Sequence, residues 1–221
     1  MNWVAGVAIV VTVAAYACPA QTISSRAGGK TVIWSPPKVD WPTEVNFPST
    51  VPKEMIGKLR IASFPIVLEE TELNAAQKHF GGVIGYRGDG GDSEAWLCLR
   101  GRDADGPWLF WLTSGELDGP AIMGFQWRRL VPNETPDRRC ALAPNDKVGI
   151  KLPIALRPGM KEAEVREILG KPSFVSGKTL IYSHDHQETI HDIPYSSNNM
   201  IAVVLCGDVV LAIEVAKSTS N

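Results

Sequence analysis

The chain has little net charge, few cysteines and, past its N-terminus, no long apolar run. Lys and Arg number 22 against 24 Asp and Glu, for a formal charge of −2. That balance supplies no dense basic face to displace phosphate counterions, so no nucleic-acid partner is expected. No apolar run in the body approaches the roughly 20 residues that a membrane-spanning helix needs. None of the four cysteines is spaced C-x-x-C, which excludes the usual redox and zinc motifs. The glycine-rich GGVIGYRGDGGDSE (81–94) lacks the Gly-Lys-Ser/Thr of a phosphate loop. Its Asp89, Asp92 and Glu94 do not follow EF-hand spacing, and its Arg87-Gly88-Asp89 reads as a chance tripeptide. Ser114 lies in TSGE and not in a nucleophile elbow. Glu69-Glu70 stands at a helix entrance, where carboxylates are favourable without any catalytic role. The expectation is a protein that is not an enzyme and carries no cofactor.

What is present begins at the N-terminus. No charge occurs between Asn2 and Thr22, and the apolar stretch Trp3 to Ala17 suits a signal-peptide core. Ala15-Tyr16-Ala17 resembles a cleavage site, so residues 1–20 are read as a signal peptide and the protein as periplasmic or secreted. Cys18 follows directly; lipidation there would anchor the chain in a bacterial envelope and would be its only link to a membrane. Residues 21–56 hold Pro36, Pro37, Pro42, Pro48 and Pro52 and read as an extended arm, with Trp34 and Trp41 as anchors that pin it to the body.

From Lys58 the pattern becomes regular. KLRIA reads as a short strand. TELNAAQKHFGG follows as a helix, with Thr71 as cap, Leu73, Ala76 and Phe80 on one face and Gly81-Gly82 as stop. EAWLCLRG, PWLFWLTSG and AIMGFQWRRL read as three strands, with the turn DADG at 103–106. The plan then recurs. Pro158-Gly159 turns the chain, Val165, Ile168 and Leu169 form an apolar stripe, Gly170 and Pro172 end a helix, and TLIYSH, MIAVVLCG and VVLAIEVA read as strands. The match of Ala76–Gly81 with Val165–Gly170 supports two copies of an α+β unit, each a helix on a three-stranded antiparallel meander. The copies are placed at 57–130 and 149–217, with a linker over 131–148.

The run Gly159-Met160-Lys161-Glu162-Ala163-Glu164-Val165-Arg166-Glu167-Ile168-Leu169-Gly170-Lys171-Pro172, followed by Leu180-Ile181-Tyr182, resembles the signature of the SmpA/OmlA (BamE-like) domain family. It is also similar to the repeat unit of the β-lactamase inhibitor protein. The resemblance implies an envelope or secreted protein that acts by binding another protein, and it carries no catalytic residues. It also implies, less directly, an inhibitor of a secreted enzyme.

Two groups of residues stand out as candidate sites. Trp96, Trp108, Trp111 and Trp127 crowd the first meander, and alternation puts Trp108 and Phe110 on one face with Trp111 on the other. An uncovered aromatic face would bind a protein partner; a covered one is core. SHDHQETIHD (183–192) holds His184, His186 and His191, a permissible zinc or copper set if the rings converge, and otherwise a polar strand end and loop. That set supports the alternative of a small-ligand or metal-binding periplasmic protein. Export favours oxidation of close cysteine pairs. Position alone does not fix the pairing. Cys98 with Cys140 would staple a strand to the segment closing the first half, leaving Cys206 as a strand thiol.

Overall fold

Large apolar side chains within 95–112, 125–127, 180–182 and 201–215 build one sheet, not two. The computed structural model describes residues 30–38, 56–89, 93–115, 119–143, 149–190 and 193–220. The first half contributes α1 (Leu73–Phe80), β4 (Ile84–Arg87), β5 (Glu94–Asp103), β6 (Gly106–Gly115) and β7 (Gly124–Arg129). The second contributes α2 (Glu162–Leu169), β11 (Phe174–Ser176), β12 (Thr179–Ile190), β13 (Ile193–Cys206) and β14 (Val209–Ser220). Antiparallel pairing of β7 with β14 fuses them in the order β11-β12-β13-β14-β7-β6-β5-β4. The short β9 (Ala141–Leu142) adds to β5 in parallel and makes the sheet nine-stranded. A separate three-stranded sheet joins β2 (Lys58–Ile61), β3 (Phe64–Val67) and β10 (Ile150–Lys151), and β1 (Thr31–Ile33) pairs in parallel with β8 (Glu134–Pro136).

This corrects the expected fold class. The protein is mostly β, with two eight-residue helices among the described residues, and is not a pair of helix-on-three-strand α+β units. The first four strands after each helix lie in the large sheet, and strand pairing continues across the junction, so neither half ends its sheet on its own. The segment expected as a linker supplies β8 and β9, and the expected arm supplies β1.

The two helices are seated alike. Extended backbone at Glu72 bridges Ala121, and at Lys161 bridges Val209. The first helical amides donate to carbonyls of those same turns, Leu73 to Pro120 at 2.8 Å and Glu162 to Asp208 at 2.7 Å. Both helices stop at a glycine of positive φ, Gly81 at 77° and Gly170 at 78°, a conformation that side chains disfavour. Thr71 does not cap α1: its hydroxyl accepts from the Val67 amide at 2.9 Å, and Glu72 takes the N-cap position.

The sheet has two faces. The helix face carries Leu97, Leu99, Phe110, Leu112, Phe125, Trp127, Tyr182, Ile201, Val203, Ile213 and Val215, which pack with Leu73, Val165, Leu169 and the small sheet in one cluster. Burial pushes the Tyr182 phenol above its ordinary range. The opposite face, at its first half, carries Trp96, Cys98, Leu109 and Trp111, packed with Ile33 and Cys140. Gly85 sits across the strand pair from Trp96, and a Cβ there would lie 2.3 Å from the indole. The glycine leaves the space that the buried ring fills.

The turn between β5 and β6 is tied to the second half. Arg129 bonds the Asp103 carboxylate, and reaches Asp105 at 3.4 Å and the Pro158 carbonyl at 3.3 Å. Arg157 adds a contact of 2.7 Å to Asp105. The two aspartates of DADG are therefore paired with arginines in a hairpin turn.

Candidate peptide-binding face

The face opposite the helices holds an extended segment, residues 30–38. Its first part is main-chain paired. Thr31, Val32 and Ile33 run parallel to Glu134, Thr135 and Pro136. The Thr31 amide donates to the Asn133 carbonyl at 2.8 Å, and the Asp137 amide to the Ile33 carbonyl at 2.9 Å. Ile33 buries its side chain among Trp96, Trp111 and the half-cystines, while Val32 faces solvent.

The second part, Trp34-Ser35-Pro36-Pro37, is held by side chains. Trp111 Nε1–H donates to the Trp34 carbonyl at 2.8 Å. Arg87 donates to the Pro36 carbonyl at 2.7 Å. Gln126 Nε2–H donates to the Pro37 carbonyl at 2.8 Å. The three donors come from β6, β4 and β7. A prolyl segment has carbonyl acceptors but no amides at its prolines, so a row of donors is the complementary surface.

The donors are themselves fixed. Arg87 pairs with Glu94 and lies 5.6 Å from the Trp96 ring centroid. Gln126, buried, also donates to Glu214 at 2.7 Å. The Trp34 indole meets Trp96 edge-on at 5.2 Å between centroids, and the Arg139 guanidinium lies 3.4 Å from its centroid. Arg139 is oriented by Asp137 through Nε–Oδ1 and Nη2–Oδ2 contacts of 2.9 Å each. Those bonds, with the Arg139 amide at 2.8 Å, hold the Asp137 carboxyl down to about 2.

That depressed value has a consequence. A carboxylate whose folded value lies below the ordinary value of about 4 stabilises the fold above that pH. The contribution is lost as pH falls from about 4 through 2. The Trp34 clamp is therefore expected to loosen in that window. Hydrogen exchange at Thr31–Ile33 measures it, and Asp137→Asn is expected to remove the acid-induced step.

The remaining candidate residues fall into place on this frame. Trp96, Trp108, Trp111 and Trp127 are 2, 5, 0 and 6% exposed, so none forms an open platform. Trp108 and Trp127 pack under the helix face; Trp96 and Trp111 pack under the arm. Trp34 is an anchor as its position suggested, and Trp41 lies outside the described residues. His184 and His186 lie on the same side of β12, with ring centroids 6.4 Å apart, and β12 continues as a strand to Ile190. His191 lies outside the described residues, and among those described no three metal-binding side chains converge. Cys98 and Cys140 form a disulfide, both sulfurs buried. Cys206 is disulfide-bonded and not a free thiol. Cys18 and the signal segment lie outside the described residues, as does Asp92. The Ser114 hydroxyl donates to the Gly119 carbonyl at 2.8 Å, a turn-closing bond.

Sequence reasoning missed Arg87, Gln126 and Arg139 as contacts to the arm. The signal available was the arm itself, an aromatic followed by Pro-Pro that needs donors from the surface it crosses. No family model, curated protein or solved structure matches the chain, and none of these comparisons identifies an SmpA/OmlA relationship.

Proposed function

We propose that the chain is a non-enzymatic, exported binding protein that captures a protein partner through the face of its sheet opposite the helices. The observation that carries this reading is the row of three side-chain donors, from three strands, trained on the carbonyls of one extended segment. Such a row reads main chain, which is how peptide-recognition surfaces gain affinity for extended partners. The uncharged N-terminal stretch and the buried disulfide both suit an oxidising, exported setting.

The test is site-specific photo-crosslinking in producing cells with the full-length chain. A cross-linker in place of Lys38, beside Gln126 and Glu214 at the rim of this face, is expected to trap a protein partner. One in place of Lys151, exposed on β10 in the small sheet of the other face, is expected to trap none. No adduct at Lys38, or equal adducts at both positions, would overturn the reading.

A further inference from the structure

We infer that this face selects extended segments of the form Trp-x-Pro-Pro, and that the chain's own Trp34–Pro37 is a displaceable plug occupying the site. The inference rests on the proposed binding role of the face and adds the chemistry of the ligand and its control.

The selectivity follows from two kinds of contact. The site for the first residue is made by a guanidinium and a second indole, Arg139 over the Trp34 ring and Trp96 in a T-shaped contact with it. A flat aromatic face satisfies a cation above it and a ring edge beside it, and Trp does so best. At the third and fourth residues the contacts come from donors, Arg87 to the Pro36 carbonyl and Gln126 to the Pro37 carbonyl, and the carboxylates beside them, Glu94 and Glu214, are already engaged by those same donors. Residues with amides would bring main-chain donors that these contacts do not answer, whereas proline brings none. Proline also holds the segment extended before it binds, which lowers the ordering cost.

Displacement follows from how the arm is held. Among the described residues of the arm, three, Thr31–Ile33, join a ladder, and that pairing is parallel with one partner strand. Beyond them, among the described residues, the arm is held by single side-chain hydrogen bonds, the Trp34 ring and the buried Pro36. The plug belongs to the same chain as the face, so it competes with any free ligand as an intramolecular one. The plug therefore excludes weak, scattered ligands. It yields to a partner with the same Trp-x-Pro-Pro chemistry and added contacts, or to any change that weakens the plug.

The experiment uses the full-length chain and a fluorescent peptide of sequence KTVIWSPPK, residues 30–38. Trp34→Ala removes the anchor of the plug and keeps every side chain of the face. The variant is expected to bind the peptide saturably, with apparent affinity at least about tenfold tighter than wild type, and Trp34→Ala with Gln126→Ala is expected to lose that gain. A peptide with its tryptophan replaced by alanine is expected to fail. A folded Trp34→Ala variant that binds no peptide up to about 1 mM, or that binds it no better than wild type, would overturn the inference. If Trp34→Ala does not fold, Pro36→Gly with Pro37→Gly loosens the plug while keeping the indole, and the same outcomes apply. A partner trapped at Lys38 beside a failed peptide titration would overturn this inference alone. Loss of the Lys38 adduct would remove the binding role beneath it.

Discussion

Trp111→Ala is expected to lower stability by about 3–5 kcal/mol, the usual range for truncating a buried aromatic. The ring is fully buried and packs with Ile33, Trp96, Leu109 and the half-cystines. Its indole N–H is also the donor to the Trp34 carbonyl. Two effects are therefore combined in one side chain, and a second variant separates them. Trp111→Phe keeps much of the apolar volume and removes the donor. Its effect through the lost hydrogen bond is expected to be about 1 kcal/mol. Urea melts report the global loss. Amide exchange at Thr31–Ile33 reports release of the arm, which is expected to exceed the global loss only for the phenylalanine variant. A Trp111→Ala protein with the wild-type midpoint would contradict the buried role and return the indole to an interface. Trp108→Ala, on the helix face and 5% exposed, is expected to destabilise comparably without loosening the arm first.

The helices and the central strands were legible because their signals are local. Leu73, Ala76 and the terminal Gly81 mark α1, and Val165, Leu169 and Gly170 mark α2. The alternation that puts Trp108 and Trp111 on opposite faces is a period-2 pattern readable in nine residues. What the reading missed is non-local. β4 is four residues with Gly85 in its middle, and β8 and β9 are three and two residues whose partners lie far along the chain. No propensity marks such strands, because each exists through its neighbour's unpaired groups. The far part of the β12–β13 hairpin failed for a different reason. From Ser183 to Thr189 every residue is polar, so no alternation in the sequence betrays a strand. His184 and His186 lie within the strand and not at its end, and the pairing runs past them.

The fold class failed at the joint between halves. The recurring helix and strand order is visible in the sequence. Whether β7 ends a unit or pairs onward is decided by the register of Phe125 against Val215 and Trp127 against Ile213, apolar pairs from both halves on one face. Alternating apolar residues on β7 and β14 are compatible with closing two small sheets or fusing one large one. Fusion leaves neither strand with an exposed edge, and it buries the two aromatics of β7 against the second half. The candidate site was half legible on the same grounds. The aromatics were conspicuous, but the arm that covers them is 62 residues upstream of Trp96 at Trp34, a separation that composition does not bridge.

Removing the Cys98–Cys140 bond by a double alanine substitution is expected to cost about 4 kcal/mol, from the closure entropy of a loop with a sequence separation of 42. The small change in side-chain volume adds little to that figure. The loss should not be uniform. Cys140 fixes the segment that carries Asp137, Arg139 and β8, and these hold both the Trp34 ring and the β1 main chain. The arm is therefore expected to open before the sheet does, with exchange at Thr31–Ile33 rising at urea concentrations where Leu109–Leu112 amides stay protected. Wild type under reductant provides the second reading. Both sulfurs are buried, so a thiol reaches them only when the 131–143 segment lifts from β5. The rate at which Cys98 and Cys140 become labelled as free thiols in native buffer, read by peptide mapping apart from Cys206, then measures that lifting, and Trp34→Ala is expected to speed it, because the arm and the segment brace each other. A reduction rate unchanged by Trp34→Ala would mean that the segment is held by the sheet alone, and that the arm lies on it without support in return.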